Sequence, residues 1–487
     1  MRAGSMDPDR YNVLFIAVDD LRTNLGCYGD PLAVTPHIDA LAARGTVFRR
    51  AYCQQAVCNP SRASLLTGRR PDTIRVWDLK THFRSTMPEV VTLPEHFKRH
   101  GYHTECIGKI FHDPRAMADR QSWSVDETLA FTNEVGGKYA LEENLQSQVV
   151  KGEVAKARAT ECADVPDNAY IDGRVADEAV RRLSCLAQAG RPPFFLAVGF
   201  RRPHLPFSAP RRYWDMQDVT ALSRIPNPHP PKDVPPIALH NWAELRGYTD
   251  IPDLGPLTPE QAAHLRHGYY AATSFVDSQI GRLLARLEVE GLADRTIIVL
   301  WSDHGWHLGE HDLWGKTTNF ELDTNAPLII AVPDPGRQDH RHLPCPCHGR
   351  TSDSLVELID IYPTLVELCH LPSPAGLEGT SLVPLLENPE KEIKEAALSQ
   401  FPRGKVMGYS LRTREWRYTE WRSRPDDTGT DTGTDTGNPV ARELYDHRRD
   451  EAETVNLAAD SRYAGVVADL AARLRDFFGV PTDFIHL

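Results

Sequence analysis

The chain has 487 residues, 41% of them hydrophobic and 25% charged, which is the balance of a globular protein able to build a sizeable core. Its formal charge of −12 opposes binding to nucleic acid or anionic membranes, so an anionic substrate must be met by a local cluster of cations. No stretch approaches the roughly 18 consecutive apolar residues of a membrane span, and residues 1–10 are polar with no leader-like apolar core, so the expected location is the cytoplasm, with a mature form whose leader has been removed as the alternative.

The length suits a large domain over residues 1–390 and a smaller α+β subdomain over 391–487 packed on it. In chain order, apolar runs at 12–18, 105–107, 194–200, 296–301 and 328–332 read as buried strands of a mostly parallel sheet. Helical patterns at 36–44, 93–100, 176–189, 261–288 and 354–368 separate or follow them. That alternation predicts an α/β fold, a large mixed and mostly parallel sheet between helices. Functional groups of such sheets gather beyond the carboxyl ends of the strands, and Asp19-Asp20, Gly108-Lys109, Arg201-Arg202-Pro203-His204 and Ser302-Asp303-His304 all fall there.

The Pro-rich stretch 226–236 reads as a long loop and a wall of the substrate cleft. Past residue 390, segments 408–414, 416–422 and 443–445 read as short antiparallel strands, followed by a terminal helix over 463–478. The acidic, glycine-rich tract 427–437 reads as a flexible hairpin tip, because its spacing does not match a calcium-binding loop. Nine cysteines suggest no disulfide framework, and Cys345-Pro-Cys347-His348 is half a zinc site without a second pair, hence an ordinary loop.

The strongest local signal is Cys58-Asn59-Pro60-Ser61-Arg62, running on to Thr67-Gly68-Arg69-Arg70. This motif resembles the signature of the sulfatase family, within the alkaline-phosphatase-like superfamily. The resemblance extends in order through Asp19-Asp20, Gly108-Lys109-Ile110-Phe111-His112, Arg202-Pro203-His204, Ser302-Asp303-His304-Gly305 and Lys316. Within the family it is greatest to the iduronate-2-sulfatase branch, which shares the Thr-Gly-Arg-Arg-Pro-Asp72 continuation and the tail from Tyr409 to Tyr418.

The resemblance implies that Cys58 is oxidised to formylglycine by a formylglycine-generating enzyme, and that the hydrated aldehyde is the nucleophile. It implies a calcium ion held by Asp19, Asp20, Asp303 and His304, with position 58 completing the shell. Imidazole at His304 brings manganese or zinc within reach, since calcium favours oxygen ligands. Without that context Asp19-Asp20 would read as a turn cap and Cys58 as an inert buried thiol. Arg62 would reach back to the nucleophile and the ligand carboxylates, while Lys109 and Lys316 would meet sulfate oxygens. By the same analogy His112 would anchor the second hydroxyl of the hydrate, and His204 would protonate the leaving group. His82, His96, His100, His103 and His307 read as structural or solvated.

The expected activity is hydrolysis of sulfate monoesters, on a small sulfated carbohydrate such as a 2-O-sulfated uronic acid. A phosphonate monoester hydrolase or phosphodiesterase on the same scaffold is the alternative. A non-catalytic binder of sulfated glycans would result if Cys58 stayed unmodified. Arg201, Arg202 and Lys80 are the candidates for reading a sugar carboxylate.

Overall fold

The run Asn-Val-Leu-Phe-Ile-Ala-Val at 12–18 has no polar face after its first residue, so it is stable only as a strand covered on both sides. The computed structural model describes residues 10–131, 136–151, 154–188, 190–333, 349–423 and 439–478, and there this run is an interior strand of a seven-stranded sheet. The strands are β1 (Asn12–Val18), β2 (Thr46–Tyr52), β3 (His103–Gly108), β4 (Phe194–Phe200), β5 (Thr296–Ser302), β6 (Leu328–Ala331) and β7 (Arg350–Glu357). Their spatial order is β7-β2-β6-β5-β1-β4-β3. Neighbours run parallel except β6, which is antiparallel to both β2 and β5.

Helices cover both faces. On one side α2 (Cys58–Thr67), α3 (Leu93–Arg99) and α6 (Ile361–Leu368) pack with Phe15, Val299 and Trp301. On the other, α1 (Pro36–Ala42), α4 (Ile171–Leu186) and α5 (Pro259–Val289) pack with Leu14, Ile16 and Leu300. Alternate residues of β1 thus feed two separate cores, as the period-two side-chain alternation of a strand requires.

A four-stranded antiparallel sheet follows: β8 (Ala397–Arg403), β9 (Val406–Arg412), β10 (Trp416–Ser423) and β11 (Ala441–Asp446), joined by α7 (Ala464–Phe478). It docks on the layer of the large sheet through Gln400 N–H to Gln54 O at 2.8 Å and Asn319 Nδ2 to Gly408 O at 3.0 Å. No helix among the described residues is long and apolar enough to cross a membrane.

The expected helix over 354–368 is corrected: its first four residues belong to β7, and α6 starts at Ile361. The register of β7 against β2 shifts between Ser352 and Leu355, a bulge that breaks the two-residue alternation and hides the strand. The Pro-rich wall is also corrected, because residues 239–244 line the cleft instead. Tract 427–437 and Cys345-Pro-Cys347-His348 lie outside the described residues.

Candidate active site

Register places the site. Val18 pairs with both Phe200 and Ser302, and Gly108 with Gly199, so Asp19, Arg201, Asp303 and Lys109 leave the sheet along one edge. β3 and β4 can approach this closely because Gly199 has no side chain; a Cβ there would lie 1.9 Å from the Lys109 carbonyl oxygen. Asp20 takes a left-handed φ of 61°, a strained conformation for a residue with a Cβ. It is held by Asp20 N–H donating to Asp303 Oδ1 at 3.2 Å and by the Tyr269 hydroxyl donating to Asp20 O at 2.8 Å.

Above this edge stands the amino terminus of α2, all of whose residues are buried. Pro60 fits its first turn, where a missing N–H costs nothing. Ser61 Oγ donates to the Asp303 carbonyl at 2.5 Å. Arg62, one turn after Cys58, is fully buried and spends three nitrogens on the site: Nε on Asp303 Oδ2 at 2.8 Å, one terminal nitrogen on Asp19 Oδ1 at 2.9 Å, the other on the Lys109 and Ile110 carbonyls.

The groups named from sequence meet here. Lys109 Nζ lies 2.6 Å from Asp19 Oδ2, and Lys316 Nζ lies 2.9 Å from both oxygens of Asp20. His304 Nε2 is 3.5 Å from Cys58 Sγ, 3.5 Å from Asp20 Oδ1 and 3.6 Å from Asp303 Oδ2. Its Nδ1 is 3.0 Å from the Gly305 carbonyl, which only accepts, so Nδ1 donates there and Nε2 is the ring nitrogen that faces these groups. Nε2 of a neutral ring is a ligand atom that can share a cation with the two carboxylates. Ligands at right angles around an oxygen-coordinated divalent ion sit about 3.4 Å apart, close to these separations. The ligand atoms of Asp19, Asp20 and Cys58 also lie within 4.8 Å of one another, so the residues fit a shared divalent ion.

Electrostatics agree with the pairing. Burial penalises the Asp19 carboxylate, but Lys109, Arg62, His204 and Lys316 outweigh it and hold its pKa well below the usual range. Burial also opposes charge on Lys316, yet Asp20, Cys58 and Glu244 raise its pKa well above normal. His112 is pushed far down, by burial first and then by Lys109 and Arg62, so it stays neutral; its Nδ1 has no partner among the described residues. Burial drives the Cys58 thiol well up, which leaves an unmodified cysteine protonated and a poor nucleophile.

Glu244 was not foreseen. Its carboxylate bridges His204 Nε2 at 3.2 Å and Lys316 Nζ at 3.1 Å. Burial is again the largest influence, but Lys316 and His204 overcome it and keep the group ionised. No local motif marks this residue, because it lies in a loop that only the fold carries to the site.

Two of the three candidates for a carboxylate reader, Arg202 and Arg201, are corrected. Arg202 spends its guanidinium on the carbonyls of Ser208, His204 and Lys138, and Arg201 donates to those of Leu129 and Ala130, both being almost wholly buried. Lys80 sits on the exposed rim. His307 is structural, with Nδ1 at 2.6 Å from Asp323 Oδ1. A further acidic cluster, Glu321, His447 and Glu453, is neutralised by Arg412 and Arg417 and forms a buried ion network.

All this opens into a cleft of about 1130 Å³ lined by Cys58, Lys109, His112, His204 and Lys316, with the buried Tyr139, Trp242 and Tyr248 also in its lining.

The family model described as Sulfatase matches residues 11–371. The chain is 34% identical to iduronate 2-sulfatase of Mus musculus, over 96% of this chain and 94% of that one. It is 30% identical to a sulfatase of Formosa agariphila, over 96% of this chain and 86% of the relative. Among solved structures, phosphonate monoester hydrolase of Agrobacterium radiobacter superposes with a TM-score of 0.73 at 24% identity, covering 96% of each chain, a likeness of fold. With its motifs gathered in one cleft and matched along most of its length, the chain belongs to the sulfatase family of sulfuric ester hydrolases.

Proposed function

We propose that the chain hydrolyses sulfate monoesters of sugars, with a 2-O-sulfated uronic acid at the end of an oligosaccharide as the leading substrate. The observation that carries this reading is the meeting of position 58, three aspartates and His304 with two lysines at the floor of one cleft. The mouse relative, named iduronate 2-sulfatase, supports the substrate class.

Formal charge supports an anionic ester. Asp19, Asp20, Asp303 and Glu244 oppose Arg62, Lys109, Lys316 and the proton carried by His204, so a divalent ion leaves the floor of the cleft positive and suited to such a substrate.

We assign calcium to the ligand set, since three of the four residues beside position 58 offer carboxylate oxygens. Such an ion supplies charge stabilisation at the sulfate oxygens. Formylglycine, made from Cys58 by a formylglycine-generating enzyme, supplies a hydroxyl nucleophile in place of the buried thiol. The remaining work falls to residues of the chain. Arg62 fixes Asp19 and Asp303 so that neither carboxylate swings away. Lys109 and Lys316 hold the non-bridging oxygens of the ester. His112, kept neutral, accepts a hydrogen bond from the side chain at 58, and His204 Nε2 gives its proton to the bridging oxygen as the sulfur–oxygen bond breaks.

The test is a panel of sulfated sugars, aryl sulfates, phosphate diesters and phosphonate monoesters, assayed with protein matured beside a formylglycine-generating enzyme and loaded with calcium. Higher kcat/KM on sulfated sugars supports the reading. Turnover of phosphonates with none of any sulfate ester overturns it, and a persistent, alkylatable thiol at position 58 in the matured protein favours the glycan binder.

A further inference from the structure

The cleft holds more positive charge than the reacting ester uses. Lys109 and Lys316 are engaged at its floor, paired with Asp19 and Asp20 and facing the ester. Lys156 donates to the Glu244 carbonyl at 2.7 Å and lies 4.6 Å above the Tyr248 ring. Arg403 donates to the Ile237 and Thr317 carbonyls. Among the described residues of the cleft, Lys138 is the cation whose charged atom has neither a hydrogen bond nor an ion pair; its one hydrogen bond is made by its backbone carbonyl, accepting from Arg202.

Its surroundings leave that charge uncompensated. Burial and then Arg202 pull the Lys138 ammonium down to about 8, with Arg201 and Lys156 adding to the effect and Asp113 opposing it. Lys156 is lowered too, by burial before anything else. A half-buried ammonium without a counter-ion is costly to keep in a fold, and it repays that cost when a ligand brings the anion.

We propose that Lys138, with Lys156 as its neighbour, forms a subsite for a second anionic group of the substrate, the carboxylate of a uronic acid or a further sulfate. The inference rests on the sulfatase reading of the cleft and adds the residue that selects among sulfated sugars. Lys138 takes no part in breaking the ester; it orients a substrate whose sulfate is already held at the floor.

The experiment compares matured, calcium-loaded wild type with Lys138→Met and Lys138→Arg on paired substrates. One pair is a 2-O-sulfated uronate saccharide and its uronate methyl ester; the other is a monosulfated and a disulfated hexosamine. Wild type is expected to favour the acid over the ester. Lys138→Met should cut that ratio of kcat/KM by about tenfold or more, the effect of losing one hydrogen bond to a charged group. Lys138→Arg should restore most of it, which a purely structural role would not produce in a ratio. Collapse of the disulfate-to-monosulfate ratio instead identifies the second anion as sulfate and also supports the subsite. If neither ratio changes in Lys138→Met, or both members of each pair fall together, the inference is overturned while the sulfatase reading stands. If wild type turns over no sulfate ester, that reading fails and the inference with it.

Discussion

Replacing Arg62 with methionine keeps most of the side-chain volume and removes the guanidinium that ties the two carboxylate-bearing strand ends together. In the wild type this group is fully buried and binds Asp19, Asp303 and two backbone carbonyls. Asp19 keeps Lys109 at 2.6 Å after the change, but Asp303 is left with one backbone donor, from Asp20. Removing one partner of a buried ion pair costs roughly 3–5 kcal/mol, because the remaining charge is neither solvated nor paired. That is a large share of the about 5–15 kcal/mol that holds a domain folded. The assay is urea unfolding in a chelator, repeated with excess calcium. The midpoint should fall strongly in chelator and less with calcium, since an ion among the same carboxylates replaces part of the lost positive charge. Arg62→Lys, with charge but no fork, should fall between the two. An Arg62→Met protein as stable as wild type in chelator would refute the argument that this arginine neutralises the ligand aspartates.

Glu244→Gln keeps the shape of the loop residue but removes the charge that holds His204 and Lys316. Acid assistance matters most for poor leaving groups, so turnover of sugar sulfates should drop about tenfold further than turnover of a nitrophenyl sulfate; an equal drop on both would count against a positioning role. Stability should also respond to pH through His240, held down to about 4 by burial, with Arg403 adding to the shift against the pull of Asp323. Above the ordinary histidine pKa near 6.5 both folded and unfolded forms are neutral, and nothing is lost. As the pH falls from there to about 4 the unfolded chain takes up a proton that the folded one refuses, removing up to about 3 kcal/mol. Unfolding free energies measured from pH 7 to 4 should show this slope, and His240→Gln should flatten it.

The residues that announced themselves in the sequence did so because buried parallel strands have a plain composition. β1, β4 and β5 are nearly unbroken apolar runs, and the groups just beyond them became the floor of the cleft. β2 escaped notice because Arg49 and Arg50 interrupt Thr-Val-Phe and Ala-Tyr, at positions that reach the surface while their neighbours are buried. β7 is polar at its start and bulged, and it passed for the first turn of a helix. Short motifs carried the aspartates and both lysines of the cleft floor, since each stands next to a strand end or in a family signature. Glu244 and Lys138 had neither mark. Their positions depend on how long connecting segments cross over the sheet edge, which local pattern does not encode.

The central claim is that a divalent ion and an oxidised residue 58 share one pocket. A crystal structure of the matured, calcium-loaded protein tests it directly. The account predicts an ion ligated by Asp19, Asp20, Asp303 and His304 together with an oxygen of a formylglycine at position 58. An intact thiol there in fully active protein, or an ion bound elsewhere with these four side chains apart, would contradict it.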